Sequence, residues 1–224
     1  MRELVEARGI KHLVHFTQVA NLPGILQYGL LGRESLHRLR TRSQINDHLR
    51  LDYVPDSVCC SISFPNYKMF YRLRANNEDA DWVVIRIKPS VLWEKQCAFC
   101  ISNAAKTAVS CDDIDQRKRP EAFSAMFADH ENMPDRQTLR IPNDYTTDPQ
   151  AEVLVLEPVE PKYFIDVILD EKTRINDYQV LMQLIEPYRK QIRFHHNTFY
   201  FYPRNDYAHW KIDRDGDSTN IFAK

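Results

Sequence analysis

Apolar and polar positions change rhythm several times along the chain, and each change marks an element. Residues 11–16 alternate and predict a short strand. Thr17 and Asn21 are cap candidates for the next element, with Pro23 in a first turn and Gly29 just past an end. They bracket a short helix over 17–28, in one or two pieces, after which Leu30 and Leu31 return to the core. Residues 57–64 predict a second strand, closed by Pro65 and Asn66. Tyr67, Phe70, Tyr71 and Arg74 then fall at helical spacing. Residues 82–88 alternate again, with Val83, Ile85 and Ile87 on the core face, and lead to a helical turn near Leu92 and Trp93. The span 97–145 is the least regular, with a helical stretch at 121–128 and prolines at 134 and 142. Val153 to Leu156 are too few for a helix and read as a buried strand, as do residues 164–169. Asp177 caps a predicted helix over 178–186, stopped by Pro187. Residues 193–202 look strand-like, and the polar tail from Arg204 is expected on the surface.

Strands and helices in this order do not repeat as the steady βαβ of a doubly wound sheet, so the fold class is α+β. With 224 residues, 43% of them hydrophobic and 27% charged, the chain suits one domain over 1–224 with its own core. No run of about 18 apolar residues occurs, and the N-terminal residues lack the apolar segment of a signal peptide. Five cysteines, an odd number, fit free thiols in a reducing cytoplasm. A net charge of −1 restricts any nucleic-acid contact to a local basic patch. One such patch lies at 33–50, where Arg33, His37, Arg38, Arg40, Arg42, His48 and Arg50 face only Glu34 and Asp47. Such runs are usually solvated surface, but the excess of arginine over lysine favours phosphate. Glycine is scarce, and neither GxGxxG nor GxxxxGK[ST] is present, so no dinucleotide or triphosphate loop of those kinds is available.

Among chemistry-bearing residues, Glu152 stands where a polar turn becomes strand. There, rigid backbone can aim a carboxylate from the rim of a core, although a carboxylate at a strand entry more commonly just stays solvated. Cys97 and Cys100 form a CxxC without the second ligand pair that a structural zinc needs, so no metal site is expected. His15 closes the first strand, where a histidine is commonly a local hydrogen-bond partner. Tyr67 and Tyr71, four apart on one helical face, are either core or the walls of a slot for a flat ring.

Together these stretches form a pattern. His-Phe-Thr at 15–17, Asn21 to Leu26, Gly29 to Leu31, Ser-Ile-Ser-Phe-Pro-Asn-Tyr at 61–67 and Gln150 to Glu152 resemble, in this order, the DarT family. Its members are DNA ADP-ribosyltransferase toxins of bacterial DarT–DarG modules. The resemblance implies an ADP-ribosyltransferase fold of two packed, mainly antiparallel sheets with flanking helices and a central NAD cleft. It implies NAD as co-substrate and a thymine base of single-stranded DNA as acceptor. Glu152 would be the catalytic glutamate and Arg50 the active-site arginine. His15, Phe16 and Thr17 would hold the adenosine-side ribose and the nicotinamide amide. Gly24 and the turn at Gly32 would line the dinucleotide, within an NAD-binding element completed by residues 38–55. Tyr67 or Tyr71 would stack on nicotinamide, and the segment 111–152 would recognise the acceptor. The family's Arg50 counterpart is described as a proton acceptor. A guanidinium does not readily give up its proton, so Arg50 reads here as a stabilising cation. Arg38, Arg40, Arg42, Arg72, Arg74, Arg117, Lys118 and Arg119 are the candidates for DNA contact. A DarG-like macrodomain antitoxin is the implied partner, and the enzyme is expected to be a monomer. The alternatives are guanine, RNA or protein as acceptor, or a non-catalytic module that binds NAD or nucleic acid.

Overall fold

The computed structural model describes residues 1–38, 56–104, 113–129, 134–171, 173, 183–188 and 192–210, with Arg38 as backbone only. Its strands are β1 (Leu13–Gln18), β2 (Val58–Ile62), β3 (Trp82–Ile87), β4 (Cys97–Cys100), β5 (Glu152–Val155), β6 (Phe164–Leu169) and β7 (Arg193–His196). They form one sheet of order β4-β5-β2-β1-β3-β6-β7, antiparallel except at β6–β7. The expected pair of packed sheets is therefore corrected to one continuous hydrogen-bonded sheet. The continuity is thin at one place. β1 meets β3 from Leu13↔Ile87 through Gln18↔Trp82, but meets β2 only at Leu13↔Ile62 and Val14↔Ser61. A β4-β5-β2 block and a β1-β3-β6-β7 block thus join at a two-pair seam.

Both faces of the sheet are covered. Leu13, Ile62, Val83, Ile85, Ile87, Val153 and Val155 pack into one cluster. Val14, Trp82, Val84 and Ile168 pack into a second with Phe70, and Ala98, Cys100 and Leu154 into a third. Residues 82–88 thus do not face a core on one side only, because Trp82 and Val84 are as buried as their neighbours. The covering helices are α1 (Arg2–Ala7), α2 (Leu22–Tyr28), α3 (Arg33–Arg38), α4 (Tyr67–Ala75), α5 (Val91–Glu94), α6 (Ile114–Arg117) and α7 (Pro120–Ala125). α4 starts where the Asn66 side chain accepts from the Met69 N–H at 3.1 Å. α2 ends at Gly29 (φ 87°), whose N–H bonds the Ile25 carbonyl at 2.8 Å. A Cβ on Gly29 would lie 2.4 Å from the Val159 oxygen, so only glycine lets Leu30 reach its backbone pairing with Val159.

Residues 17–28 do break in two: a 3₁₀ turn over Val19–Asn21 precedes α2. Neither expected cap acts as one there. Thr17 belongs to β1, and its hydroxyl oxygen accepts from Asn21 Nδ2 at 2.9 Å. The irregular span opens with β4, a buried four-residue strand on β5 that no sequence pattern predicts. The strand predicted over 193–202 stops at His196. Asn197 then accepts from the Phe199 N–H at 2.8 Å and turns the chain into a 3₁₀ turn, Thr198–Phe201. Of the basic run at 33–50, residues 39–50 lie outside the described residues, as do 178–182 of the predicted helix over 178–186.

The polar segment from Arg204 is not all surface as expected: Arg204, Asp206 and Trp210 are buried, while residues 211–224 lie outside the described residues. Arg204 and Asp206 are each 5% exposed and form an ion pair, with Arg204 Nε donating to Asp206 Oδ1 at 2.9 Å. Trp210 Nε1 donates to the same carboxylate at 2.9 Å. The rest of the guanidinium donates to the carbonyls of Thr146 (2.8 Å) and Thr147 (3.0 Å), just upstream of β5. Polar composition suggests solvent; instead, arginine's donors meet turn carbonyls in need of partners. Asp206→Ala strips a buried cation of its counter-ion and should lower the unfolding free energy by about 3–5 kcal/mol, as read from urea denaturation.

Candidate active site

Glu152 is the first residue of β5 and is 7% exposed. The chain reaches it through a tight polar turn. Gln150 N–H donates to Asp148 Oδ1 at 2.7 Å, Ala151 N–H to the Asp148 carbonyl at 3.1 Å, and the Thr146 hydroxyl to the same carbonyl at 2.9 Å. Two arginines clamp this approach from outside. Arg204 is one. Arg136 is the other, donating to Thr147 Oγ1 and to the carbonyls of Pro142 and Tyr145, each at 2.8 Å. Sequence reasoning missed both, because each lies in a polar stretch where arginine ordinarily means surface. Glu152 Oε2 itself accepts from the Ala104 N–H at 3.0 Å, just beyond β4.

His15 lies in β1 one residue past the seam. Its Nδ1 is 2.8 Å from the Cys59 carbonyl on β2. A carbonyl only accepts, so Nδ1 bears the hydrogen and Nε2 presents a lone pair in the neutral ring. Burial pushes the His15 pKa down, against the smaller upward effect of the Cys59 carbonyl. The same stretch of β2 ranges Glu152: Cys59 pairs with Leu154 and Cys60 with Val153, which sets Ser61 level with Glu152 and opposite Val14. β2 therefore separates the His15 and Glu152 backbones by two strand spacings, about 10 Å. The backbones of two of the three expected groups thus lie two strands apart. Arg50 lies outside the described residues, as do Arg40, Arg42 and the Arg38 side chain.

The remaining expected ligands of the dinucleotide divide. Phe16 stacks on Phe70 with ring centroids 4.5 Å apart, and Thr17 is buried with its hydroxyl engaged by Asn21. Around Gly24 the space is open. Gly32 has a packing reason of its own, since a Cβ there would lie 2.3 Å from the Asp56 carbonyl carbon. Asp56 in turn accepts from the Ser35 N–H (2.9 Å) and hydroxyl (3.1 Å) at the start of α3. Tyr67 is buried and Tyr71 half-buried; both line a groove between α4 and the 3₁₀ turn, with Arg74, Tyr200 and Tyr202.

Of the expected DNA contacts, Arg72 and Arg119 are exposed, and half-buried Lys118 is paired with Asp115 at 2.9 Å. Two others are corrected. Arg74 donates to the Phe201 carbonyl at 2.6 Å and lies over the Phe70 ring at 4.7 Å, so its guanidinium joins α4 to the C-terminal turn. Arg117 is 6% exposed and donates to Cys100 Sγ at 3.6 Å. Cys97 and Cys100 belong to clusters on opposite faces of β4, which prevents them from ligating one ion. Burial raises the Cys97 thiol to about 12. Among the described residues, no group of three or more His, Cys, Asp or Glu could hold a metal, and no helix is long and apolar enough to cross a membrane.

A seven-stranded sheet parted at a short seam, with a buried glutamate heading the strand beside it, is an ADP-ribosyltransferase-like fold by its similarity to solved structures. The sequence model of the family described as "ssDNA thymidine ADP-ribosyltransferase, DarT" matches residues 14–202, and the chain belongs to that family. Among solved structures, Thermosipho africanus DarTG in complex with ADP-ribose is similar at 15% identity and a TM-score of 0.57. That match covers 87% of this chain and 52% of the other, so this chain spans about half the length of the Thermosipho protein. Thermus sp. 2.9 DarT in complex with carba-NAD+ is similar at 12% identity and a TM-score of 0.54, over 86% of this chain and 98% of that one. No curated protein sequence matches this one.

The buried imidazole of His15 also makes stability depend on pH. With its folded pKa depressed, the neutral ring contributes stability above the unfolded value near 6.5, and this is lost as pH falls through the folded pKa. His12 is depressed by burial too and adds to the slope. His15→Gln, which keeps a donor for Cys59, should flatten the fall in urea midpoint between pH 7 and pH 5 without abolishing it.

Proposed function

We infer that this chain is an enzyme that transfers ADP-ribose from NAD to a thymidine base of single-stranded DNA and releases nicotinamide. The reading rests chiefly on the family match, whose span contains both His15 and Glu152. The bond between nicotinamide and ribose C1″ breaks, and nicotinamide leaves neutral, needing no general acid. Charge builds on the ribose as an oxocarbenium-like centre. Glu152, anchored by the Ala104 N–H, stabilises that charge and accepts from the ribose 2″-hydroxyl. Thymine N3 loses its proton to solvent and forms the new bond to C1″, while Arg50 supplies positive charge to the acceptor or the pyrophosphate. His15 offers its Nε2 lone pair to a ribose hydroxyl. Phe16, Thr17, Gly24 and Gly32 border the dinucleotide, and one of Tyr67 and Tyr71 stacks on nicotinamide.

Exposed Arg72 and Arg119, with Lys118, meet DNA phosphates, joined by the basic segment of Arg38, Arg40 and Arg42. The chain acts as a single domain over 1–224 and as a monomer, in the cytoplasm where the DNA is. A DarG-like macrodomain protein is its antitoxin; DarTG is the name borne by the similar Thermosipho protein.

Incubation with labelled NAD and oligonucleotides, followed by product mass, tests the reading. Wild type should add one ADP-ribose to thymidine-containing single strands and none to thymidine-free ones. Glu152→Gln should lower the rate at least about 100-fold without lowering the melting temperature. Wild-type protein that labels no oligonucleotide would overturn the function; an unchanged rate in Glu152→Gln would overturn the role of the glutamate.

A further inference from the structure

Arg117 is an anomaly for a surface-type residue. It closes the four-residue helix α6, which packs on β4, and is 6% exposed. Its Nη1 donates to Cys100 Sγ at 3.6 Å, a weak acceptor, and its Nε is buried with no partner among the described residues. No carboxylate lies within ion-pair distance of it among the described residues. A buried cation without a counter-ion is costly, and replacing it with an apolar side chain is commonly neutral or stabilising. A chain that retains one uses its charge.

The register says where that charge acts. Cys100 pairs directly with Glu152, and opposed residues in a ladder project to the same face. Cys100, Ala104 and Leu154 share one cluster on that face, with Ile114 of α6 packed against it. The guanidinium that rests on Cys100 is therefore one side chain away from the Glu152 carboxylate. Among the described residues, the other titratable groups on the strands paired beside Glu152 include the thiols of Cys100 on β4 and of Cys59 and Cys60 on β2, and burial together with the charges of Cys97 and Glu152 holds Cys60 well above the usual thiol range. Among the described residues packed there, Arg117 on α6 alone brings positive charge.

We propose that Arg117 is a positioning residue for catalysis: a buried cation, set behind Cys100, that holds Glu152 in its carboxylate form next to the NAD ribose. This rests on the transferase reading above and deepens it. Burial disfavours the charged form of a carboxyl group in general, and the neutral acid stabilises an oxocarbenium-like centre poorly. Arg117 opposes that effect without touching substrate.

The test is the pH–rate profile of ADP-ribose transfer to a thymidine-containing oligonucleotide at saturating NAD, with thermal melts alongside. Arg117→Met should melt no lower than wild type, yet its acidic limb should move upward by about one pH unit or more. At a pH on that limb, transfer should fall about tenfold relative to wild type and recover towards alkaline pH. Arg117→Lys should restore the wild-type limb. Should the Met variant fail to fold, Arg117→Gln against Arg117→Lys makes the same comparison. Superimposable profiles in wild type and the uncharged variants, or Lys and Gln behaving alike, would overturn the proposal. Absence of transfer by wild type would instead overturn the transferase reading.

Discussion

The seam between β1 and β2 is the constraint on which the site depends. Two residue pairs join halves of the sheet that are otherwise held by longer ladders. Where the β1–β2 ladder stops, the next residue of β1 is His15, and its imidazole bonds the Cys59 carbonyl in place of a backbone partner. A backbone carbonyl left unpaired at the mouth of a parted sheet is costly, so the imidazole has a structural role there. The same bond fixes which nitrogen carries the hydrogen and so decides what the ring can offer a ligand. Fold and chemistry are joined in that single contact.

Around the glutamate the logic is different. β5 is only four residues long, and a short strand cannot by itself hold the rotamer of its first residue. The polar knot at 146–151 and the two arginines that bind it, Arg204 at the Thr146 and Thr147 carbonyls and Arg136 at the Thr147 hydroxyl, fix the entry of β5. Arg204 comes from the C-terminal tail and Arg136 from the loop before β5, and both direct their donors within the fold, to backbone carbonyls, the Asp206 carboxylate and the Thr147 hydroxyl. Rigid support of this kind lets a carboxylate act electrostatically, because the reaction then need not reorganise the dipoles around it.

Most strands were legible from alternation and β-branched runs, β3 and β6 most plainly, since burial on a pleated surface is what that pattern encodes. β4 was not: Cys97 to Cys100 is buried at every step and shows no alternation. The continuous sheet was invisible for a related reason. Local pattern specifies a strand's faces but not its neighbours, and a two-pair seam leaves no trace in hydrophobicity. Glu152 at the head of a buried strand and His15 within the first one were placed by the patterns that surround them. Arg74, Arg117, Arg136 and Arg204 were misjudged or missed together, because charge counts treat arginine as surface. Its planar fork can equally satisfy carbonyls inside a loop-rich protein.

These four arginines bear on how a near-neutral protein engages DNA. With Arg74 on the Phe201 carbonyl, Arg117 against Cys100 and Arg136 and Arg204 on turn carbonyls, the outward-facing positive charge is smaller than the composition implies. Fewer phosphate contacts mean a shallower dependence of affinity on salt and a larger share of recognition left to base contact. Base contact is also what a transferase that modifies one base needs. On the transferase reading, backbone grip strong enough to coat DNA would hold the enzyme on strands without an acceptor, whereas a weak grip would let it sample sites until an acceptor base is reached.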